Sequence, residues 1–182
     1  MEEFASRILP VVPDAMTEEQ QKLVGEWSSM NFASVIVTSP DLYKVLVPLI
    51  AKLIPGTALP PRDREILVLR TLELCDETYE AHHHVLIARN AGMTDEEIEA
   101  ARIGSADSDP LLIRAADELH AEQRVSDETW HALAQRYSPV ELMEIVALVG
   151  GYTLMAMVTK SYGIQLEDAR TFESFTQKRQ YT

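Results

Sequence analysis

Apolar side chains recur at helical spacing along most of this chain, and strand-like alternation is nowhere sustained. The densest stretch, residues 65–90, reads EILVLRTLELCDETYEAHHHVLIARN. Its first half is apolar on nearly every side (Ile66, Leu67, Val68, Leu69, Leu72, Leu74), which predicts a helix buried all round. Acids and three consecutive histidines follow before the pattern turns apolar again at residues 85–88. The interruption near residues 75–77 reads either as two helices meeting or as one long helix.

Start and stop signals divide the rest. Thr17 with Gln20 three residues on is a capping box, predicting a first helix to about residue 32. Ser39-Pro40 opens a second, whose apolar positions Leu42, Val45, Leu46, Leu49, Ile50 and Leu53 end before Pro55-Gly56. Thr94 with Glu97 starts a short helix to about residue 103, and residues 104–109 form a polar loop. Further helices are predicted over 110–122, from Ser126 to about 137, and from the Ser138–Glu141 box to about 162. Residues 35–37 read as a loop or helix end. The proline-containing residues 1–16 read as an extended arm able to lie across a neighbour, and 166–182 as a polar tail. The expectation is one all-α domain, 1–182. Glu65 with its helix and Glu141 with its helix echo each other, through two related halves or through chance apolar pattern.

Composition narrows the function classes. The chain has 182 residues, 46% of them hydrophobic, and a formal net charge of -13. That charge argues against nucleic acid and against anionic membranes. Cys75 is the single cysteine, so no internal disulfide or CxxC pair exists, which suits a reducing compartment. The N-terminus lacks the basic and apolar regions of a signal peptide. The apolar run 142–158 is interrupted by Glu144 and Gly150-Gly151 and falls short of the ~20 residues of a membrane span. A cytoplasmic protein is expected.

The candidate chemistry lies in the organising stretch. On a helix Glu77, Glu80 and His84 stand at i, i+3 and i+7 and share a face, whereas His82 and His83 point elsewhere. A helical hairpin would bring Glu65 alongside. Carboxylates around one imidazole in an apolar setting can move protons near neutral pH. A solvated helix face, with Glu80 and His84 as an ordinary i,i+4 pair, gives the same spacing. Glu77, Glu80 and His84 holding a divalent metal is a third reading.

The run Arg64-Glu65-Ile66-Leu67-Val68-Leu69, together with Tyr79-Glu80-Ala81-His82-His83-His84 and on through Gly92-Met93-Thr94, resembles the carboxymuconolactone decarboxylase family. That family includes the alkylhydroperoxidase D-type disulfide peroxidases. The resemblance spans about residues 15–170, with Tyr152-Thr153-Leu154 and Gly163 compatible, and implies a helical bundle. In the peroxidase branch a glutamate precedes Cys-x-x-Cys-x-x-x-His. Aligned on the histidine, His84 matches the relay histidine and Glu65 the relay glutamate, while Glu77 and Glu80 occupy the two cysteine positions. Cys75 is out of register. Carboxylates supply neither the nucleophilic nor the resolving thiol, so peroxidase-type oxidoreductase chemistry is disfavoured.

The decarboxylase branch implies cofactor-free acid–base chemistry on a small molecule. His84 would be the acid/base, Glu65 its orienting partner and Glu80 a second acid/base or substrate contact. Glu77, Tyr79 and His83 are binding candidates. No cofactor is expected, the divalent metal remaining the alternative. A binding or assembly homologue without activity is the other alternative. The resemblance and the surplus of apolar faces imply a homo-oligomer, a trimer or hexamer, with a dimer as alternative.

Overall fold

The computed structural model describes residues 5–54 and 56–167, and among these the regular elements are helices, with no strand. They are α1 (Glu18–Val24), α2 (Asn31–Ile36), α3 (Pro40–Leu53), α4 (Pro61–Leu74), α5 (Tyr79–Asn90), α6 (Asp95–Ile103), α7 (Pro110–Glu122), α8 (Asp127–Arg136) and α9 (Pro139–Tyr162). The all-α class expected from the pattern is the class found.

The capping boxes sit where the sequence puts them. The Thr17 and Gln20 side chains exchange hydrogen bonds with each other's backbone N–H, as do those of Thr94 and Glu97 and of Ser138 and Glu141. The first helix is shorter than predicted. It ends at Val24 because Gly25 takes φ 47°, a 3₁₀ turn follows over Gly25–Ser29, and α2 begins afresh at Asn31. Residues 35 and 36 close α2.

The chain divides into two compact units, one of residues before Leu53 together with those after Met157, the other Leu53–Met157. In the first, the N-terminal arm is pinned to its own chain. Arg7 and Ile8 donate backbone N–H groups to the Tyr162 carbonyl, and Val11 donates to that of Ser34. Gly163 has φ 68°, and a Cβ there would meet the Ala5 carbonyl oxygen at 2.6 Å, so the arm's path requires glycine. Of the polar tail read from residue 166, all beyond 167 lies outside the described residues.

The second unit is built around α4, which packs against α5, α6 and α7, while α8 lies on α7. Enclosure by several neighbours explains why its residues from Asp63 to Leu72 are buried, Arg70 excepted. Arg70 is largely covered and donates to Asp117 on α7 (2.7 Å) and to the Arg102 carbonyl on α6 (2.9 Å). At the N-terminal end of α4, Asp63 accepts from the Tyr137 hydroxyl (2.7 Å) and from Arg136 (2.8 Å), beyond α8 and at its end. Burial and the neighbouring Asp63 carboxylate push the Tyr137 hydroxyl well above its ordinary pKa. α4 is thus fixed along its length. α9 ends at Tyr162, as predicted from its start box; its 24 residues are enough by length and composition to cross a bilayer, which the apolar run 142–158 alone did not suggest, and 50% of its apolar window is buried inside the protein.

Candidate functional site

Two consecutive helices and a distant third converge on one buried line of hydrogen bonds. Asp76 takes a positive φ of 49° in the turn between α4 and α5, reversing the chain and setting Glu65 against His84. Glu65 is 0% exposed, His84 0% and Tyr152 of α9 1%. Glu65 Oε2 lies 2.6 Å from His84 Nδ1, and His84 Nε2 lies 2.7 Å from the Tyr152 hydroxyl. The His84 and Tyr152 rings meet edge to face at 4.8 Å. On the outer side of the carboxylate, Arg64 Nε donates to Glu65 Oε1 at 2.8 Å. The order is therefore Arg64, Glu65, His84, Tyr152.

Electrostatics fix the direction of this line. Burial alone pushes the Glu65 carboxyl up. The His84 imidazole and the Arg64 guanidinium, by charge and by hydrogen bonding, outweigh it and hold the carboxyl below its ordinary range. An ionised Glu65 is an acceptor only, so Nδ1 of His84 carries its proton toward it. Nε2 is then the working nitrogen. It accepts from the Tyr152 hydroxyl when the ring is neutral and donates to it when the ring is charged.

The other sequence candidates occupy distinct places. Glu80 is buried one turn before His84 on α5, on the same face. Glu77 precedes the helix and caps it, its carboxylate accepting backbone N–H groups of Tyr79 (3.0 Å), Glu80 (2.8 Å) and Ala81 (3.3 Å). Tyr79 and His83 are buried and pack edge to face at 4.6 Å, with His82 against His83 at 5.9 Å. On α5 these rings lie off the His84 direction, His83 by about 100°, Tyr79 by about 140° and His82 by about 200°. Among the described residues no group of three His, Cys, Asp or Glu side chains is arranged to hold a metal ion.

Cys75 caps the C-terminal end of α4, ten residues and about 15 Å along the axis from Glu65. Its Sγ lies 3.9 Å from His120 Nδ1 on α7. Sequence reasoning missed Tyr152 as a member of the line and could not place Arg64. Its only signal for Tyr152 was membership of a family-compatible triplet; for Arg64 it was adjacency to Glu65.

Residues 40–118 match the model of the carboxymuconolactone decarboxylase family, the stretch that holds α3 to most of α7. No curated protein matches the chain. Among solved structures, the fold is similar to that of an uncharacterized peroxidase-related protein from Silicibacter sp. TM1040. The TM-score is 0.73 at 13% identity, covering 96% of this chain and 98% of that one. It is also similar to the debrominase Bmp8, solved as a cysteine-to-alanine variant in complex with 2,3,4-tribromopyrrole (TM-score 0.67, 15% identity, 97% and 99% covered). The apo form of Bmp8 gives 0.68 at 16% identity, covering 92% and 97%. Identities this low show a shared fold.

Proposed function

We propose, from the carboxymuconolactone decarboxylase match over residues 40–118, that this chain performs cofactor-free acid–base chemistry on a small organic molecule. Decarboxylation, isomerisation and lactone chemistry all fall within the reading. The observation that carries it is the buried Glu65–His84–Tyr152 line with its 2.6 and 2.7 Å contacts. In a decarboxylation the bond to the departing carboxylate breaks and its electron pair stays on the substrate as an enolate. Tyr152 gives its hydroxyl proton to that carbon while Nε2 of a charged His84 reprotonates the phenolic oxygen. Glu65 holds the ring in the tautomer that makes this possible, and Arg64 keeps Glu65 ionised. His84 regains its proton from solvent before the next turnover. Isomerisation uses the same line in both directions. Glu80, buried one turn before His84, is assigned as a second acid/base or substrate contact.

Dithiol peroxidase chemistry has no support in the geometry. Glu77 spends its carboxylate on the start of α5, and Cys75 lies far along α4 from the line.

The test is a panel of small lactones and β-keto acids assayed with wild type, His84→Gln, Tyr152→Phe and Cys75→Ser. Turnover should fall about 100-fold or more in the first two, the typical worth of a positioned acid/base, and be unchanged in the third. Full activity in Tyr152→Phe and His84→Gln together would remove the reading. Loss in Cys75→Ser would turn it toward thiol chemistry. Folded protein with no turnover on any substrate would favour a binding homologue.

A further inference from the structure

We infer that the outer edge of the Arg64 guanidinium is a docking site for the carboxylate of a small organic monoacid. This concerns binding alone and does not rest on the acid–base reading of the buried line. The Arg64 side chain is 7% exposed, the lowest value among the arginines that make ion pairs in the described residues. Its hydrogen bonding is nevertheless the least complete for its burial. Nε donates to Glu65 Oε1 at 2.8 Å, and among the described residues neither Nη atom has a hydrogen-bond partner. All the remaining N–H donors of the guanidinium are on those two atoms. Better exposed arginines are better satisfied. Arg70 donates from Nε and Nη1, Arg136 from both Nη atoms, and Arg102 from all three nitrogens.

A buried charged donor is costly unless solvent or a ligand reaches it. Among the described residues, the buried side-chain atoms that are both sealed from solvent and unpaired are the Tyr43 hydroxyl and Thr57 Oγ1. No Arg64 nitrogen is with them, so the Nη atoms are reached from outside through a narrow opening. Glu65 holds the guanidinium by Nε and so fixes its plane. The Nη1–Nη2 end that remains is a flat two-donor fork, which a carboxylate matches oxygen for nitrogen.

Charge narrows the class of ligand. Glu65 divides its single charge between Arg64 and the His84 ring, so it does not spend all of it on the guanidinium. α4 begins at Pro61 with no side chain capping its first N–H groups, and helix side chains lean toward that end. The partial positive charge there adds to that of Arg64. The acid of that turn, Asp63, is engaged elsewhere, accepting from Tyr137 and Arg136. A chain of net charge -13 repels anions at long range, and a dianion twice as strongly, which selects a monoanion. The narrow opening selects a small one. Arg64 stands at the far end of the line from Tyr152, so an acid held there lies outside the place where Tyr152 delivers its proton.

The probe is formate, titrated into the full chain at constant ionic strength, with neutral formamide and inorganic phosphate in parallel. The Arg64 Nε–H resonance of isotope-labelled protein, assigned through the backbone, reports occupancy. Formate should move it along a saturable single-site curve, and formamide should leave it in place. Tyr152→Phe should bind formate within about 2-fold of wild type, as a distant site does. Arg64→Lys, followed by the linewidth of the formate proton, should bind roughly 10-fold or more weakly, because an ammonium keeps the charge and loses the fork. If Arg64→Lys does not fold, the wild-type titrations carry the decision. A resonance unmoved by formate, an equal response to formamide, or tighter binding of phosphate than of formate would overturn the inference. So would loss of formate binding in Tyr152→Phe, or a folded Arg64→Lys that binds formate as wild type does.

Discussion

Glu65 is a fully buried carboxylate held below its ordinary range by the His84 imidazole and the Arg64 guanidinium, and that makes it a measurable contributor to acid sensitivity. Its pKa is depressed by folding, so its stabilisation is complete above the ordinary carboxylate range and is lost as pH falls through the lower folded value. Thermal midpoints measured from pH 6 down to pH 3 should therefore fall less steeply in Glu65→Gln than in wild type. Equal slopes would mean that Glu65 is already neutral in the folded protein. Tyr152→Phe probes the other end of the line. It leaves Nε2 of His84 buried without its phenolic partner, at about 1–3 kcal/mol, and the fold should survive it. The Glu65–His84 contact was legible beforehand as what a helical hairpin would produce, because the two residues stand on either side of one turn. Tyr152 was not, since it reaches His84 across 68 positions of sequence and its own helix reads as undifferentiated apolar core.

At the scale of elements, the caps were the most legible features, because a capping box is a local exchange of hydrogen bonds that needs no tertiary knowledge. What the pattern hid was the backbone cost of Gly25, which divides the first predicted helix. It also hid the work of Glu77. Read by register, that residue stood at a cysteine position and belonged to the site; in the fold it starts α5, the helix that carries His84. Glu77→Ala should remove three acceptor contacts and cost about 0.5–2 kcal/mol, the usual range for a lost cap. For a chain of this size that is a fall of roughly 1–8 °C in thermal midpoint. Calorimetry showing no change would mean that the helix start is held by its neighbours instead.

For the molecule as a whole, charge and apolar surface pull in opposite directions. A net charge of -13 repels a second copy at low ionic strength, while the exposed apolar residues of α9 (Val140, Met143, Leu154 and Met157) offer contacts indifferent to salt. Raising salt from about 0.01 M to about 0.15 M shortens the screening length from about 30 Å to about 8 Å. Association should therefore tighten over that range, read by analytical ultracentrifugation; loosening would point to an interface held by ion pairs. The apolar surplus was legible in the sequence, but which side of α9 remained uncovered was not, because both sides read alike.

The two short contacts at His84 have a spectroscopic consequence. A proton held between an ionised carboxylate and a ring nitrogen at 2.6 Å, with both residues closed off from solvent, is strongly deshielded and trades slowly with water. The resting protein should therefore show a sharp proton resonance far downfield of its amides, absent from His84→Gln. The rate at which deuterium erases that signal would measure how often the second unit opens.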